Sequence, residues 1–325
     1  MTRVMVTGAS GFIGTRLVAL LGEAGHEVLA VTRRDVAGTS GPSNRWLRAD
    51  LTQPDSLPDS VFAAVDSVIY LAGQAHSPPR DTAEERKHLE ATNVTAPMTL
   101  ARRAAAGGVR RFVFVSSATV HGTQSGAAPF REGDPLAPSG LYAKSKAAAE
   151  AALREIAAQS GIGLTILRPP LVYGPGAKGN LERLIAWAEK GRPLPTAVCR
   201  NRRSLVGLDN LCRFIELAAR HPAAEGTTFL VADETPISTG ELFRQICIAL
   251  KRVPRFLPLP NWLLTAVLQP LGQSDVLTRL CGNFELDCSK ARSMLDWRPE
   301  IAMNAEIART VAARTVKHES KAVSE

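Results

Sequence analysis

Tyr142 and Lys146 stand four residues apart in the run Tyr142-Ala143-Lys144-Ser145-Lys146. On a helix, residues at i and i+4 share a face. A phenol with a pKa of about 10 is a poor base at neutral pH. A neighbouring ammonium favours its ionised form and brings it toward working range. Such a pair suits proton transfer to or from a substrate hydroxyl. Two further hydroxyls, Ser116 and Ser117, close the apolar run Arg111–Val115.

Moving a proton on and off an alcohol is half of a redox step, and the other half needs a hydride carrier. The chain opens with a seat for one. Val4-Met5-Val6-Thr7-Gly8-Ala9-Ser10-Gly11-Phe12-Ile13-Gly14 reads as a strand, a glycine-rich turn and the start of a helix. Gly8, Gly11 and Gly14 permit a tight turn and close approach of a pyrophosphate to backbone N–H groups, and the helix N-terminus then faces the negative charge. The second strand ends Val31-Thr32-Arg33-Arg34. A carboxylate here would accept the adenine ribose 2′-OH of NAD. None stands here, and arginine suits a 2′-phosphate. Thr32 and Arg33 therefore tilt the expectation from NAD toward NADP.

These groups need a frame. Strands are expected at Arg3–Val6, Glu27–Val31, Trp46–Leu47 (ending at Asp50), Ser67–Leu71, Arg111–Val115 and Leu164–Leu167. Helices are expected at Phe12–Ala24, Glu84–Ala106 and Tyr142–Ala158. The alternation predicts an α/β fold, a Rossmann-type doubly wound parallel sheet with ligands beyond the strands' carboxyl ends. Residues 1–170 form the NAD(P)-binding domain in this reading. Residues 171–313 are mostly a smaller C-terminal substrate lobe, with segments near 204–232 returning to the main domain. Helices are expected there at Asn180–Lys190, Leu211–Ala219 and Gly240–Leu250, and a strand at Phe229–Val231. Residues 314–325 lack an apolar face and are expected to form a flexible tail.

The chain has 325 residues and a net charge of +8. The cations sit in short pairs, and aromatics are 5%. That argues against a nucleic-acid binder. Five cysteines without CxxC spacing point to free thiols and no metal site. No signal peptide opens the chain, and a cytoplasmic location is expected. The apolar stretch Phe256 to Leu271 is cut by Pro258, Pro260 and Pro270. It is too short to span a bilayer and reads as a packed surface helix.

The spacing GxxGxxG and the opening Thr7-Gly8-Ala9-Ser10-Gly11-Phe12-Ile13-Gly14 resemble the extended branch of the short-chain dehydrogenase/reductase superfamily. Ser116-Ser117-Ala118-Thr119-Val120 resembles the SSATV segment of nucleotide-sugar 4-epimerases. Arg168-Pro169-Pro170-Leu171-Val172-Tyr173-Gly174-Pro175-Gly176 resembles the RPxxVYGPG stretch lining the nicotinamide end. Asp287-Cys288-Ser289-Lys290 is similar to the branch's DxSKA. The resemblance covers most of the chain and extends to the NAD-dependent epimerase/dehydratases, in a UDP-glucose 4-epimerase-like subgroup.

The resemblance implies Ser117, Tyr142 and Lys146 as catalytic groups, with Lys146 also on the nicotinamide ribose. It implies cofactor contacts from Phe12 and Ile13 at the glycine turn, Asp50 on the adenine amino group, Leu51, Leu71, Ala72, Gly73, Asn93 and Pro169. It implies substrate contacts from Ser117 and Thr119, and diphosphate contacts from Asn180 and Arg203. A nucleotide-sugar substrate, probed at C4, and a homodimer through the two long helices follow from the same source. His121 replaces the usual tyrosine and Leu141 a common proline. A dehydratase needs an acidic pair after the catalytic hydroxyl, where Ala118-Thr119 stand. A 4-epimerase and an NADPH-dependent reductase of 4-keto-6-deoxy-(N-acetyl)hexosamine nucleotides both stay open. A non-catalytic cofactor-sensing regulator is a third alternative, against which the intact tyrosine and lysine speak.

Overall fold

Short β-branched and aromatic runs separated by amphipathic segments give a central parallel sheet. The computed structural model describes residues 2–35, 44–74, 82–195, 200–259, 261–269 and 280–322. Cys199 and the end of the apolar stretch at Leu271 lie outside the described residues. The strands are β1 (Arg3–Thr7), β2 (Glu27–Thr32), β3 (Asn44–Arg48), β4 (Ser67–Tyr70), β5 (Arg111–Val115), β6 (Gly163–Arg168), β7 (Leu171–Tyr173), β8 (Leu194–Pro195), β9 (Leu205–Gly207), β10 (Thr228–Leu230) and β11 (Phe256–Leu257). Seven of them form the main sheet in the order β3-β2-β1-β4-β5-β6-β10, each pair parallel. Strand order reverses between β1 and β4, so a crevice opens beyond their carboxyl ends.

The helices are α1 (Phe12–Glu23), α2 (Ala83–Leu89), α3 (Ala96–Ala106), α4 (Gly140–Ser160), α5 (Asn180–Glu189), α6 (Leu208–Arg220), α7 (Thr239–Ala249), α8 (Asn261–Leu268), α9 (Ser289–Leu295) and α10 (Met303–Ala322). The period of two along each strand divides the core. Val4, Val6, Val113 and Leu167 face α1 and α6, packing with Leu17, Leu21, Phe214 and Trp297. Met5, Phe112, Phe114 and Ile166 face α3 and α4, packing with Leu100 and Leu153. A third cluster, with Tyr173, Leu181, Phe243 and Ile246, fills the lobe. Asp209 of α6 takes Arg16 of α1 at 2.7 Å and Arg309 of α10 at 2.6 Å, tying lobe and main sheet together.

The helices differ from the sequence reading at two places. The segment expected as one helix, Glu84–Ala106, is divided by a π-helical turn over Glu90–Thr95. Pro97 has no N–H to give the Asn93 carbonyl, so the α ladder fails there, and Ala96 N–H donates to Ala91 O instead. Helix α10 continues through residues 314–322, a stretch without an apolar face in the sequence.

Candidate functional site

The glycine corner is held by steric necessity. Gly8 has φ +65°, a left-handed conformation that glycine adopts at no cost. A Cβ there would lie 2.8 Å from Ala72 N, so β1's end and β4's end could not approach as they do. A Cβ on Gly14 would overlap the Gly8 carbonyl oxygen. Thr7 Oγ1 accepts from Leu71 N and Ala72 N at 3.2 and 3.3 Å, locking the two strand ends. The N-terminus of α1 has no side-chain cap and no acidic residue in its first turn. Its own cap and first turn thus offer no anion to its N–H groups and positive dipole end, which fits a dinucleotide diphosphate. Phe12 and Ile13 open the helix half-buried, and Gly176 of the loop after β7 approaches the Phe12 ring.

At the end of β2, Thr32 is buried and its hydroxyl pairs with Ser10 Oγ at 2.6 Å. It also accepts from Arg34 N. Thr32 thus braces the glycine turn, and Arg33 is left exposed beyond it. Asp50 lies two residues past β3. Burial alone would raise its carboxyl pKa, but the Thr52 hydroxyl and N–H bind Oδ1 at 2.8 and 3.0 Å and hold it below its ordinary value. Leu51 and Leu71 are half-buried beside the same edge.

Asn93 is fully buried on the π turn. Its Oδ1 accepts from Gln74 N at 2.9 Å, and its Nδ2 donates to Gln74 O and to Ser145 Oγ at 3.0 Å. One amide therefore ties the loop after β4 to α4, and a Cβ on Gly73 would crowd Asn93 Oδ1. That Cβ position is also 3.5 Å from Lys146 Nζ, so the cofactor edge and the lysine are neighbours.

Tyr142 stands in the first turn of α4, half-buried, with its phenol close enough to Ser117 for that hydroxyl to lower its pKa. Ser117 Oγ also pairs with Thr119 Oγ1 at 2.8 Å. Lys146 is buried; its Nζ donates to Val115 O at 2.9 Å and lies 4.8 Å from the Phe114 ring centroid. Burial lowers its pKa to about 8, with Glu150 opposing. The expected lowering of the tyrosine does not occur in the protein alone. Burial pushes Tyr142 up to about 12, and only the Ser117 hydrogen bond works the other way. Ala118 N donates to Pro169 O at 2.9 Å, which fixes the serine segment to the strand-end prolines.

The sequence reading passed over what lies behind these groups. Ser116 points away from Ser117 and donates to Glu150 Oε1 at 2.5 Å. Arg168 grips both Glu150 oxygens, through Nε at 3.0 and 3.2 Å and Nη2 at 2.5 Å. Both side chains are nearly solvent-free, at 1% and 3% exposure. Arg168 Nη1 lies 2.9 Å from His121 Nε2. Arginine only donates, so Nε2 accepts and the ring proton sits on Nδ1, which has no hydrogen-bond partner among the described residues. Burial and the Arg168 charge press the His121 pKa down to about 4. The spacing Lys146–Glu150, again one helical turn, was the available signal.

Asn180 is exposed at the first position of α5. Arg203 is half-buried, donating to Gly282 O at 3.0 Å with its guanidinium 5.7 Å from the Phe284 ring centroid. Phe284 packs in one cluster with Ala118, the neighbour of Ser117, so Arg203 stands behind that segment. No group of histidine, cysteine and acidic residues that could hold a metal ion occurs among the described residues.

Replacing Glu150 by Ala leaves the Arg168 charge buried and unpaired, and should cost about 3–5 kcal/mol in unfolding measurements. The double variant Glu150→Leu with Arg168→Met should recover most of that loss. His121 predicts a pH effect. From its ordinary 6.5 down to about 4, the unfolded ring takes a proton that the folded ring refuses. Its contribution is complete above that window and lost as pH falls through it. Thermal unfolding of His121→Gln, which keeps an acceptor for Arg168, should show a shallower decline over this range than the parent.

Residues 4–232 match the NAD dependent epimerase/dehydratase family. The chain is 33% identical over 314 residues to a UDP-glucose 4-epimerase of Vibrio cholerae, covering 95% of this chain and 94% of that one. It is 26% identical over 283 residues to the N-acetyl-alpha-D-glucosaminyl-diphospho-ditrans,octacis-undecaprenol 4-epimerase of Escherichia coli O157:H7, covering 86% and 81%. Among solved structures, the UDP-glucose 4-epimerase of Thermotoga maritima with UDP-glucose superposes with a TM-score of 0.78 at 22% identity, over 97% of this chain and 99% of that one. A short-chain dehydrogenase/reductase superfamily protein from Agrobacterium tumefaciens with bound NAD superposes with a TM-score of 0.77 at 20% identity, over 98% and 99%. Fold, glycine corner and sequence similarity agree: this chain is an enzyme of the NAD-dependent epimerase/dehydratase family.

Proposed function

We propose that this enzyme is a nucleotide-sugar 4-epimerase that oxidises and re-reduces C4 of a UDP-hexose. The observation that carries the reading is the pairing of the Ser117 and Tyr142 hydroxyls, close enough for Ser117 to lower the phenol's pKa, one helical turn from Lys146 and one loop away from the uncapped glycine corner. A nicotinamide dinucleotide held by Gly8, Gly11, Gly14, Ala72 and Gly73 supplies a hydride acceptor and donor. The chain's own groups handle the proton. Ser117 orients the sugar hydroxyl and shares its hydrogen bonds with Thr119. Tyr142 takes the hydroxyl proton when the carbonyl forms and returns it when the alcohol is restored. A phenol near 12 needs help to ionise; Ser117 lowers it in the protein, and the positive end of α4 and an oxidised nicotinamide would act in the same direction. Asn180 and Arg203 are assigned to the diphosphate of the substrate, where a guanidinium fits two oxygens. Ala118-Thr119 leave no acidic pair for eliminating water.

A second reading, reduction of a 4-keto sugar nucleotide by an exchangeable NADPH, is favoured by the end of β2. No carboxylate takes the adenine ribose there, Thr32 is occupied with Ser10, and Arg33 is free of the fold's core.

Incubation of the purified protein with UDP-galactose should yield UDP-glucose without added cofactor. Tyr142→Phe should lower that rate about 10²–10⁴-fold. An unaffected Tyr142→Phe enzyme overturns the assignment. NADPH consumption with a 4-keto sugar nucleotide, in place of epimerisation, establishes the second reading. In that case Arg33→Ala should raise the KM for NADPH about tenfold or more, as expected for losing a phosphate contact, with little change for NADH.

A further inference from the structure

The apolar stretch after α7 does form a short helix, α8, and among its described side chains Trp262 stands out in solvent. Trp262 is 70% exposed, and Val253 and Ile248, in the preceding turn and on α7, are 83% and 64% exposed. Lys251, Arg252 and Arg255 lie among them, all exposed. The pairing of β8 with β11 brings the turn after α5 alongside. There Gly191 sits next to the Arg252 guanidinium, and Arg192 lies 5.0 Å from the ring centroid of a partly exposed Trp187. The sequence carries no Asp or Glu between Glu241 and Asp275. Exposed aliphatic and cationic side chains therefore share the turn between α7 and β11 with the turn after α5, Trp262 stands exposed a few residues further along the chain, and that stretch brings no acidic residue of its own.

We propose that this surface docks the enzyme on an anionic lipid bilayer. Tryptophan favours the boundary between hydrocarbon and headgroups, and the cations are attracted to acidic lipid. Val253 and Ile248 gain nothing from a nucleic-acid backbone but lose water on entering acyl chains. A second copy of the chain would bring two cationic faces together and is repelled. No helix among the described residues is long and apolar enough to cross a membrane, so the contact is peripheral. The proposal does not depend on the sugar-nucleotide reading.

Co-sedimentation of the full chain with lipid vesicles tests it without any turnover assay. The protein should pellet with vesicles of equal parts phosphatidylcholine and phosphatidylglycerol and stay in solution with phosphatidylcholine alone. Binding should weaken as salt is added. Trp262→Ala and the pair Lys251→Gln with Arg252→Gln should each lower vesicle affinity about tenfold or more. Both variants should keep the parental circular dichroism and the parental turnover of a soluble nucleotide sugar. Absence of pelleting with the acidic vesicles at low salt overturns the proposal, as does binding that neither variant changes. A vesicle-free oligomer that Trp262→Ala dissolves overturns it in favour of self-association.

Discussion

A buried carboxylate–guanidinium pair holds the chemistry of this protein in place. Glu150 and Arg168 join the middle of α4 to the end of β6 where water scarcely reaches. Two charges so placed are tolerable only when each is fully hydrogen-bonded. Glu150 meets that demand with Arg168 and Ser116, and Arg168 with Glu150, His121 and the Glu132 carbonyl. Each partner sits one or two residues, or one helical turn, from a group that faces the crevice. Ser116 precedes Ser117, Lys146 is a turn before Glu150, and Pro169 follows Arg168. The ion pair therefore sets where the working hydroxyls and ammonium can be.

The second constraint is a close backbone approach. β1 and β4 converge at the reversal of strand order, where Gly8 lies against Ala72 with no room for a side chain. Thr7 closes the gap with two hydrogen bonds to β4's trailing backbone, and Asn93 fastens the backbone of Gln74 to α4. The edge that would lie against a dinucleotide is thus built by side chains that bind backbone. The same amide that fixes this edge reaches Ser145, the residue beside Lys146.

Much of this was legible in the sequence because it is local. The glycine corner, the Tyr142–Lys146 spacing and the strands of the main sheet are written in contiguous runs whose period matches their structure. What escaped was set by partners distant in sequence. Ser116 stood beside Ser117 as a second candidate hydroxyl, and only the packing of α4 commits it to Glu150. Thr32 read as part of a cofactor contact, and the fold uses its hydroxyl to brace Ser10. Lys146 was expected to acidify Tyr142 directly, yet in the protein its ammonium is turned to Val115 O and the phenol's pKa is raised by burial. The π turn needed the conjunction of Pro97 with a buried Asn93, which helical periodicity does not reveal. Asn180 and Arg203 came from resemblance; the structure shows Asn180 exposed at the start of α5 and Arg203 against Phe284, which packs with Ala118.

The central claim is that hydride leaves sugar C4 for a nicotinamide ring while Tyr142 takes the hydroxyl proton. It is tested most directly by UDP-glucose carrying deuterium at C4, mixed with the protein and analysed for label in the bound dinucleotide. The account predicts deuterium on the nicotinamide ring with the parent enzyme and none with Tyr142→Phe. Label lost to solvent during turnover, or a bound dinucleotide that carries no deuterium while UDP-galactose forms, contradicts it.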